Sequence, residues 1–194
     1  VETGMKTLII EKNRQAGRKL LISGLGKCNI THKGDIIDFT THYGEKSRFV
    51  KPALLNFDNQ DLIEYFESRG IKFAEAKGGK IFPESLKSTD ILNILLNECN
   101  VFGIEILYNE SAEDITCVNG EFEIKTANNI IYSKNIVIAT GGKSYSQTGS
   151  TGDGYKLAEN LGHTIVPVYP CLTPVIIKDY KFADVSGVSI SSAR

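Results

Sequence analysis

The sequence predicts an α/β fold: a parallel sheet with helices, an antiparallel meander, and the start of a separate module at the C-terminal end. Three stretches carry that expectation. Ile136, Val137, Ile138 and Ala139 form a continuous apolar run that leads straight into Thr140, Gly141 and Gly142. Such a run suits a strand covered on both faces that ends at a ligand-facing turn. Leu8-Ile9-Ile10 is a second short apolar strand, closed by Glu11. Asn119-Gly120 separates two runs of strand-forming residues and is a strong two-residue hairpin signal.

From the N-terminus, Val1-Glu2-Thr3-Gly4 reads as the last turn of a helix stopped by Gly4, followed directly by a strand from Lys6 to Ile10. In a dinucleotide-binding βαβ unit, an acid at such a strand end hydrogen-bonds the adenosine ribose, about 20 residues beyond a GxGxxG turn. Glu11 fits the acid, and no GxGxxG occurs in these residues. The expectation is therefore that the first strand and its glycine turn lie upstream of Val1. A lone exposed charge at a strand end is the simpler alternative for Glu11. Gly17 to Asn29 then joins a basic pair, Arg18 and Lys19, to the glycine-rich run around Ser23, Gly24 and Gly26. Two cations, a hydroxyl and pliable backbone can together hold a pyrophosphate and a ribitol chain.

The middle of the chain reads as scaffold. Asn59 to Arg69 carries Leu62, Ile63 and Phe66 at helical spacing and stops at Gly70, while Ser88 to Phe102 carries Ile91, Leu92, Leu95 and Leu96 and stops at Gly103. Ile104 to Tyr108 is a strand expected to join the parallel sheet. Asp114 to Val118, Glu121 to Lys125 and Ala127 to Tyr132 form the meander around Asn119-Gly120. Beyond Thr140, a second glycine cluster (Gly149, Gly152, Gly154) introduces a short helix with Leu157, Ala158 and Leu161, closed by Gly162. A strand, a glycine loop and a helix start in that order make a nucleotide cofactor the natural ligand. Turn formation alone is the competing account of the same glycines. Past Gly162, valines and isoleucines fall among Pro167, Pro170 and Pro174, suggesting short strands and turns. Two domains are therefore expected, residues 1–164 and 165–194, both incomplete.

Composition narrows the function. Lys and Arg number 22 against 23 Asp and Glu, for a formal charge of -1, so no general attraction to nucleic acid or anionic membrane exists. Cys28, Cys99, Cys117 and Cys171 form no CxxC pair and no metal-ligand spacing with His32, His42 or His163. A reducing cytoplasm is the expected setting. No apolar run approaches membrane-span length, and no signal-peptide pattern opens these residues.

Three motifs together resemble one family. GRKLLISGLGKCN preceded by LIIEKN, KIFPESLKSTDILNILL, and IATGGKSYSQTGSTGDGYKLAENLGH are similar, in register, to segments of the FAD-binding oxidoreductases of the BaiN and YhiN type, the aminoacetone oxidase family flavoproteins. The last motif also resembles, more distantly, a flavin-contacting segment of succinate dehydrogenases and fumarate reductases. The resemblance implies a Rossmann-like FAD-binding domain of the glutathione-reductase-like class, with the meander in its usual place. It also implies that the chain lacks its N-terminal GxGxxG unit and its C-terminal half, and so holds FAD poorly and turns over no substrate. Glu11 would lie at the adenosine ribose and Arg18 and Lys19 at the pyrophosphate, with Lys12 and Gly24 also among the cofactor-binding residues. Ser23, Cys28 and Asn29 would lie along the ribitol or toward the flavin ring, Ala112 at the adenine, and Thr140, Gly141 and Gly142 past the pyrophosphate.

Some roles stay open at this level. Cys28 has no resolving cysteine beside it in sequence, which favours a packing or backbone role. Asp153 can accept a ribitol or flavin-edge hydrogen bond or cap the following helix, and the cap is preferred. Lys143 and Tyr145 are candidates for substrate or ring contact, and His163 is read as structural. No acid–base constellation and no hydrolase or metalloenzyme signature stands out, so the catalytic residues are unassigned. Two classes remain: an FAD-dependent oxidoreductase transferring hydride to or from a small organic substrate, with NAD(P)H a candidate electron donor, or a nucleotide-binding or interaction module without turnover. Exposed sheet edges would favour homo-oligomers.

Overall fold

The computed structural model describes residues 4–170 together with Lys178, Asp179, Lys181 and Asp184. The helical turn expected at the N-terminus falls on residues 1–3, outside that set. The chain divides into two units, Val1–Thr164 and Ile165–Arg194. In the second, Val166 and Val168 lie in irregular backbone, and the strands expected around 175–185 lie outside the described residues.

The first unit opens with strand β1 (Leu8–Glu11), whose last residue is the acid itself. Helix α1 (Arg18–Ile22) follows, preceded by Gly17 at φ 75°. The basic pair read ahead of the glycine-rich run thus opens a helix: Arg-Lys-Leu-Leu-Ile is a run of mostly good helix formers, and one turn fits between the flanking glycines. A 3-10 turn at Ser23–Gly26 completes the segment. Strand β2 (Thr31–His32) leads to helices α2 (Ile36–Thr41), α3 (Ser47–Asn56) and α4 (Asn59–Glu67). The start of α4 is held by a capping box in which Asp58 accepts from the Gln60 and Asp61 amides while Asp61 accepts from the Asp58 amide. Strands β3 (Phe73–Ala76) and β4 (Lys80–Pro83) pair antiparallel, and β2 adds to the other edge of β4.

Helix α5 (Ser88–Val101) runs into β5 (Glu105–Tyr108), which pairs parallel with β1 in the register Ile9 to Ile106. The meander is β6 (Ala112–Val118), β7 (Glu121–Thr126) and β8 (Ile130–Ser133). Asn119 at φ 52° and Gly120 at φ 82° form its hairpin turn, as expected of that dipeptide. Helix α6 (Asp153–Asn160) ends at Gly162, φ 89°. The architecture is thus α/β, with one parallel pair and two antiparallel sheets. Among the described residues no helix is long and apolar enough to cross a membrane.

The strand expected at 136–139 and the start of the third meander strand are corrected. Residues 136–139 form no strand ladder, and among the described residues β1 pairs with β5 alone. The apolar run at 136–139 is covered on one face: Ile136 and Ile138 pack on the meander while Val137 stays 87% exposed. The third meander strand starts at Ile130, not Ala127. Its first residues are drawn into a turn by Glu110, whose buried carboxylate accepts from Thr126 Oγ1, from Asn128 Nδ2 at 2.9 Å and from Asn129 Nδ2 at 3.0 Å.

Two cores result. Cys28, Phe66 and Ile91 centre one, with Leu20, Leu62 and Leu95 around them. Ile115, Ile124 and Leu157 centre the other, which ties the meander to α6 and to Ile10 of β1. Each fully buried aliphatic chain contributes about 1.5–3 kcal/mol.

Hydrogen bonds from Thr126, then Asn128 and Asn129, hold the Glu110 carboxyl at about 2, below the ordinary 4.5. Its folded-state value is depressed, so its stabilising contribution is complete above pH about 4.5 and is lost as pH falls toward 2. Thermal melts of Glu110→Gln are therefore expected to lose less stability than those of the parent chain on acidification through that window. Parallel losses in the two proteins would place the acid sensitivity elsewhere.

Candidate functional site

The end of β1 meets the loop that precedes α6. Glu11 Oε1 accepts from the Asn13 backbone N–H at 2.7 Å and from Asn13 Nδ2 at 2.8 Å. Asn13 Nδ2 also donates to the Thr148 carbonyl at 3.2 Å, and Arg18 Nη1 donates to Asn13 Oδ1 at 2.9 Å. One asparagine thus gathers the strand-end acid, the first cation of α1 and the distal loop. Lys12 donates to Thr151 Oγ1 at 2.8 Å and pairs with Asp153 at 2.5 Å. Lys19 donates to Ser144 through the backbone carbonyl at 2.9 Å and Oγ at 3.1 Å. Glu110 N–H donates to the Glu11 carbonyl at 3.0 Å, which brings the start of β6, with Ala112, beside the same strand end.

The glycines of the distal loop serve this contact in two ways. A Cβ at Gly149 would lie 2.6 Å from Asn13 Nδ2, so that position must be bare for the asparagine to reach Thr148. A Cβ at Gly154 would collide with Thr140 Oγ1 and lie 3.0 Å from Ile138, so glycine lets α6 pack onto residues 138–140. These two glycines make room for protein atoms, as the turn-and-packing alternative holds. Thr140 and Gly141 are exposed and Gly142 is half-buried. Among the described residues, no protein acceptor receives the N–H groups of Gly141, Gly142, Lys143 or Ser144.

Asp153 does not cap α6. Gly152 is the cap residue, in the left-handed region where glycine is favoured, and Asp153 is the first helical residue. Its carboxylate turns instead to Lys12 and Thr151, which hold it below the usual aspartate value. An acid in the first turn also complements the helix dipole.

The Ser23-to-Asn29 part of the candidate set bonds to α1, β2 and β4. Ser23 Oγ donates to the Leu20 carbonyl at 2.7 Å. With its amide oriented to satisfy both neighbours, Asn29 donates to Thr31 O at 3.0 Å and Ile81 O at 3.2 Å, tying the loop to β2 and β4. Cys28 is a buried free thiol with φ 58°. The loop folds tightly enough that a Cβ on Gly24 would come 2.7 Å from the Asn29 amide nitrogen. Cys99 and Cys117 are also free thiols; Cys171 lies outside the described residues. The exposed Tyr145 sits in the left-handed region at φ 55°, opening a 3-10 turn, and Lys143 lies over the Tyr155 ring at 5.8 Å. His163 donates its N–H to the Ala158 carbonyl and so helps close α6.

This placement of an acid-ended strand beside a glycine loop and helix start is accompanied by a match of residues 1–192 to the family described as HI0933-like protein Rossmann domain. The chain belongs to that family. This HI0933-like domain is 31% identical over 183 residues to a 3-dehydro-bile acid delta(4,6)-reductase of Clostridium scindens, covering 94% of the chain and 44% of the relative. It is 29% identical over 195 residues to a ribosomal RNA dihydrouridine synthase of Haemophilus influenzae, covering 96% and 47%. A ribosomal RNA dihydrouridine synthase of Escherichia coli is 27% identical over 173 residues, 89% of the chain and 42% of the relative. The chain therefore spans less than half the length of these relatives.

Sequence reasoning missed Asn13, Ser144 and Thr151 in this HI0933-like chain. Asn13 sits two residues after a strand-end acid, which is a common Asx-type position, and that signal could have found it. Ser144 and Thr151 reveal themselves through contacts spanning 125 and 139 residues.

The energetics of the junction can be ranked. Lys12 and Asp153 keep 31% and 39% of their side-chain surface in solvent, so their pair is worth about 0.2–1 kcal/mol. Asn13 serves part-buried partners, and its removal strands them at about 1–3 kcal/mol. Asn13→Ala is therefore expected to destabilise the chain more than Lys12→Met, as read by urea unfolding. The reverse order would show the ion pair to be the stronger tie.

Proposed function

We propose that the complete protein is an FAD-dependent oxidoreductase transferring hydride between the flavin and a small organic substrate, with this chain forming the surface for the ribose and pyrophosphate. The observation that carries the reading is a strand-end carboxylate tied through Asn13 to the distal loop at Thr148, in a chain whose Gly141–Ser144 peptide N–H groups meet no protein acceptor among the described residues. Glu11 keeps Oε2 without a donor among the described residues, and an ionised carboxylate accepts hydroxyl hydrogen bonds well. The Gly141–Ser144 amides are open to phosphate oxygens. Arg18 is exposed and gives Asn13 one of its five N–H donors, leaving the rest for the same anion. Lys19 sets the position of that loop through Ser144. These groups suit a dinucleotide in donor and acceptor type, which is the fit the cofactor requires.

FAD held there would supply the redox-active ring, with NAD(P)H as the candidate electron donor. The protein's part is to bind and orient. Glu11 fixes the adenosine end, and the amides and Arg18 neutralise the middle. The relatives' names support reduction, since a delta(4,6)-reductase and a synthase of a dihydro product both add hydrogen to an unsaturated substrate. Their substrates differ, a bile acid and a ribosomal RNA.

Replacing Glu11 with Ala in the complete protein is expected to weaken FAD binding by about 1–3 kcal/mol, the cost of losing a charged hydrogen-bonding group, as measured by flavin titration. Unchanged affinity would remove Glu11 from the site. Retention of ADP without any flavin by the unmodified protein would favour a nucleotide-binding module instead.

A further inference from the structure

At the end of β2 the His32 ring bridges two backbone carbonyls: Nδ1 lies 2.5 Å from the Lys33 oxygen and Nε2 lies 2.6 Å from the Gly78 oxygen. Both partners can only accept. A neutral imidazole carries one N–H and one lone pair, whereas the imidazolium donates from both nitrogens, so this arrangement calls for the doubly protonated ring. The turn between β3 and β4 is shaped to receive it. A Cβ on Gly79 would stand 2.5 Å from His32 Cε1, and the Gly79 carbonyl accepts from the Lys33 backbone N–H at 2.7 Å. The ring and the Lys33 amide thus grip the 78–79 turn side by side. Phe39 of α2 meets the ring edge-on at 6.4 Å between centroids, while the imidazole stays exposed to solvent. Around the ring, Lys33 pairs with Glu75 of β3 at 2.8 Å, Lys80 stands opposite His32 in the ladder, and Lys77 belongs to the turn. On the helical side, Asp35 accepts from the Ile37 N–H, Asp38 and His42 lie on and just after α2, and Asp58 and Asp61 are engaged in the capping box of α4. Asn59 of α4 donates to the His32 carbonyl at 3.2 Å. Among the described residues no carboxylate bonds to a ring nitrogen, and the two carbonyls are the ring's acceptors.

We propose that His32 is a proton-operated clasp on the turn between β3 and β4, closed when the ring is an imidazolium and open when it is neutral. Loss of one proton leaves a nitrogen lone pair aimed at a carbonyl lone pair within hydrogen-bond distance. The two repel, and because the ring is exposed, water takes over the freed carbonyl. Closure therefore requires the proton, so the clasp is present in acid and is lost as pH rises through the range in which histidine changes charge. What it fastens is the β2–β4 contact. Strand β2 meets β4 only through Thr31 with Ile81 and His32 with Lys80, and Asn29 secures the opposite end by donating to the Thr31 and Ile81 carbonyls. With the clasp open, the turn end of that short ladder loosens while the Asn29 end stays tied. The clasp itself uses no group assigned to the cofactor.

The test is nuclear magnetic resonance on the complete protein with nitrogen-labelled histidine, at about pH 5 and about pH 8, on either side of the histidine range. Two observables are read together: the protonation of both His32 ring nitrogens, and hydrogen-exchange protection of the Lys33 amide after correction for the intrinsic pH dependence of exchange. In acid, both nitrogens are expected to carry protons and Lys33 to be protected about threefold to tenfold more than in base, the ratio that one lost hydrogen bond gives. Glutamine has no charge to lose in this range, so His32→Gln is expected to abolish the difference while His42 and His163 still titrate. Equal protection of Lys33 at the two pH values would overturn the proposal, as would an undiminished difference in His32→Gln. A singly protonated ring in a protein whose Lys33 amide is fully protected would overturn it as well, and that measurement needs no variant, so it stands even if His32→Gln does not fold.

Discussion

Asn13 is the point at which the end of β1, helix α1 and the loop before α6 are tied together. Its amide and carbonyl reach the strand-end acid, the first cation of α1 and the backbone of the distal loop. Without that convergence, Glu11 would be a carboxylate at a strand end and Gly141–Gly142 a solvent-exposed turn. With it, the strand end and the distal loop are fixed to one another. Lys12 and Lys19 flank the asparagine and reach the same loop at Thr151, Asp153 and Ser144, so the loop is held at three places along its length.

Stability and positioning come from different parts of the chain. Ile115, Ile124 and Leu157, all nearly inaccessible, join the meander to α6, and Cys28, Phe66 and Ile91 join the turn to the helices. These aliphatic and aromatic contacts supply most of the favourable free energy, because burial scales with area while exposed ion pairs return little. The polar junction adds less energy and more geometry. Gly149 and Gly154 belong to both: each is bare so that another group can occupy the space a Cβ would take.

The elements legible in the sequence are those whose causes are local. Gly70, Gly103 and Gly162 end helices where expected, and Asn119-Gly120 turns the hairpin, because each acts through its own φ. The parallel pairing of β5 with β1 and the family resemblance were also within reach. The run at 136–139 misleads, since four apolar residues say nothing about which face is covered, and Val137 faces water. Helix α1 hides between two glycines in five residues, too short for periodicity to show. Strand β2 is a two-residue bridge to β4, a pairing set by distant partners. Of the candidate site, Glu11, Arg18 and Lys19 do converge on one junction, while Asp153 follows Lys12 rather than capping its helix, a choice made by a residue far away in sequence.

That separation carries a cost in time. Lys12 and Asp153 stand 141 residues apart, and at about 5–20 residues per second a ribosome needs roughly 7 to 28 seconds to travel between them. For that interval the nascent chain displays β1 and its acid with no loop to meet them, while the helices and the β2–β4–β3 sheet are already available to fold. The polar junction around Asn13 is therefore among the last parts of this domain that translation can complete, and until then the Glu11 carboxylate stands at a strand end that the distal loop has not yet reached.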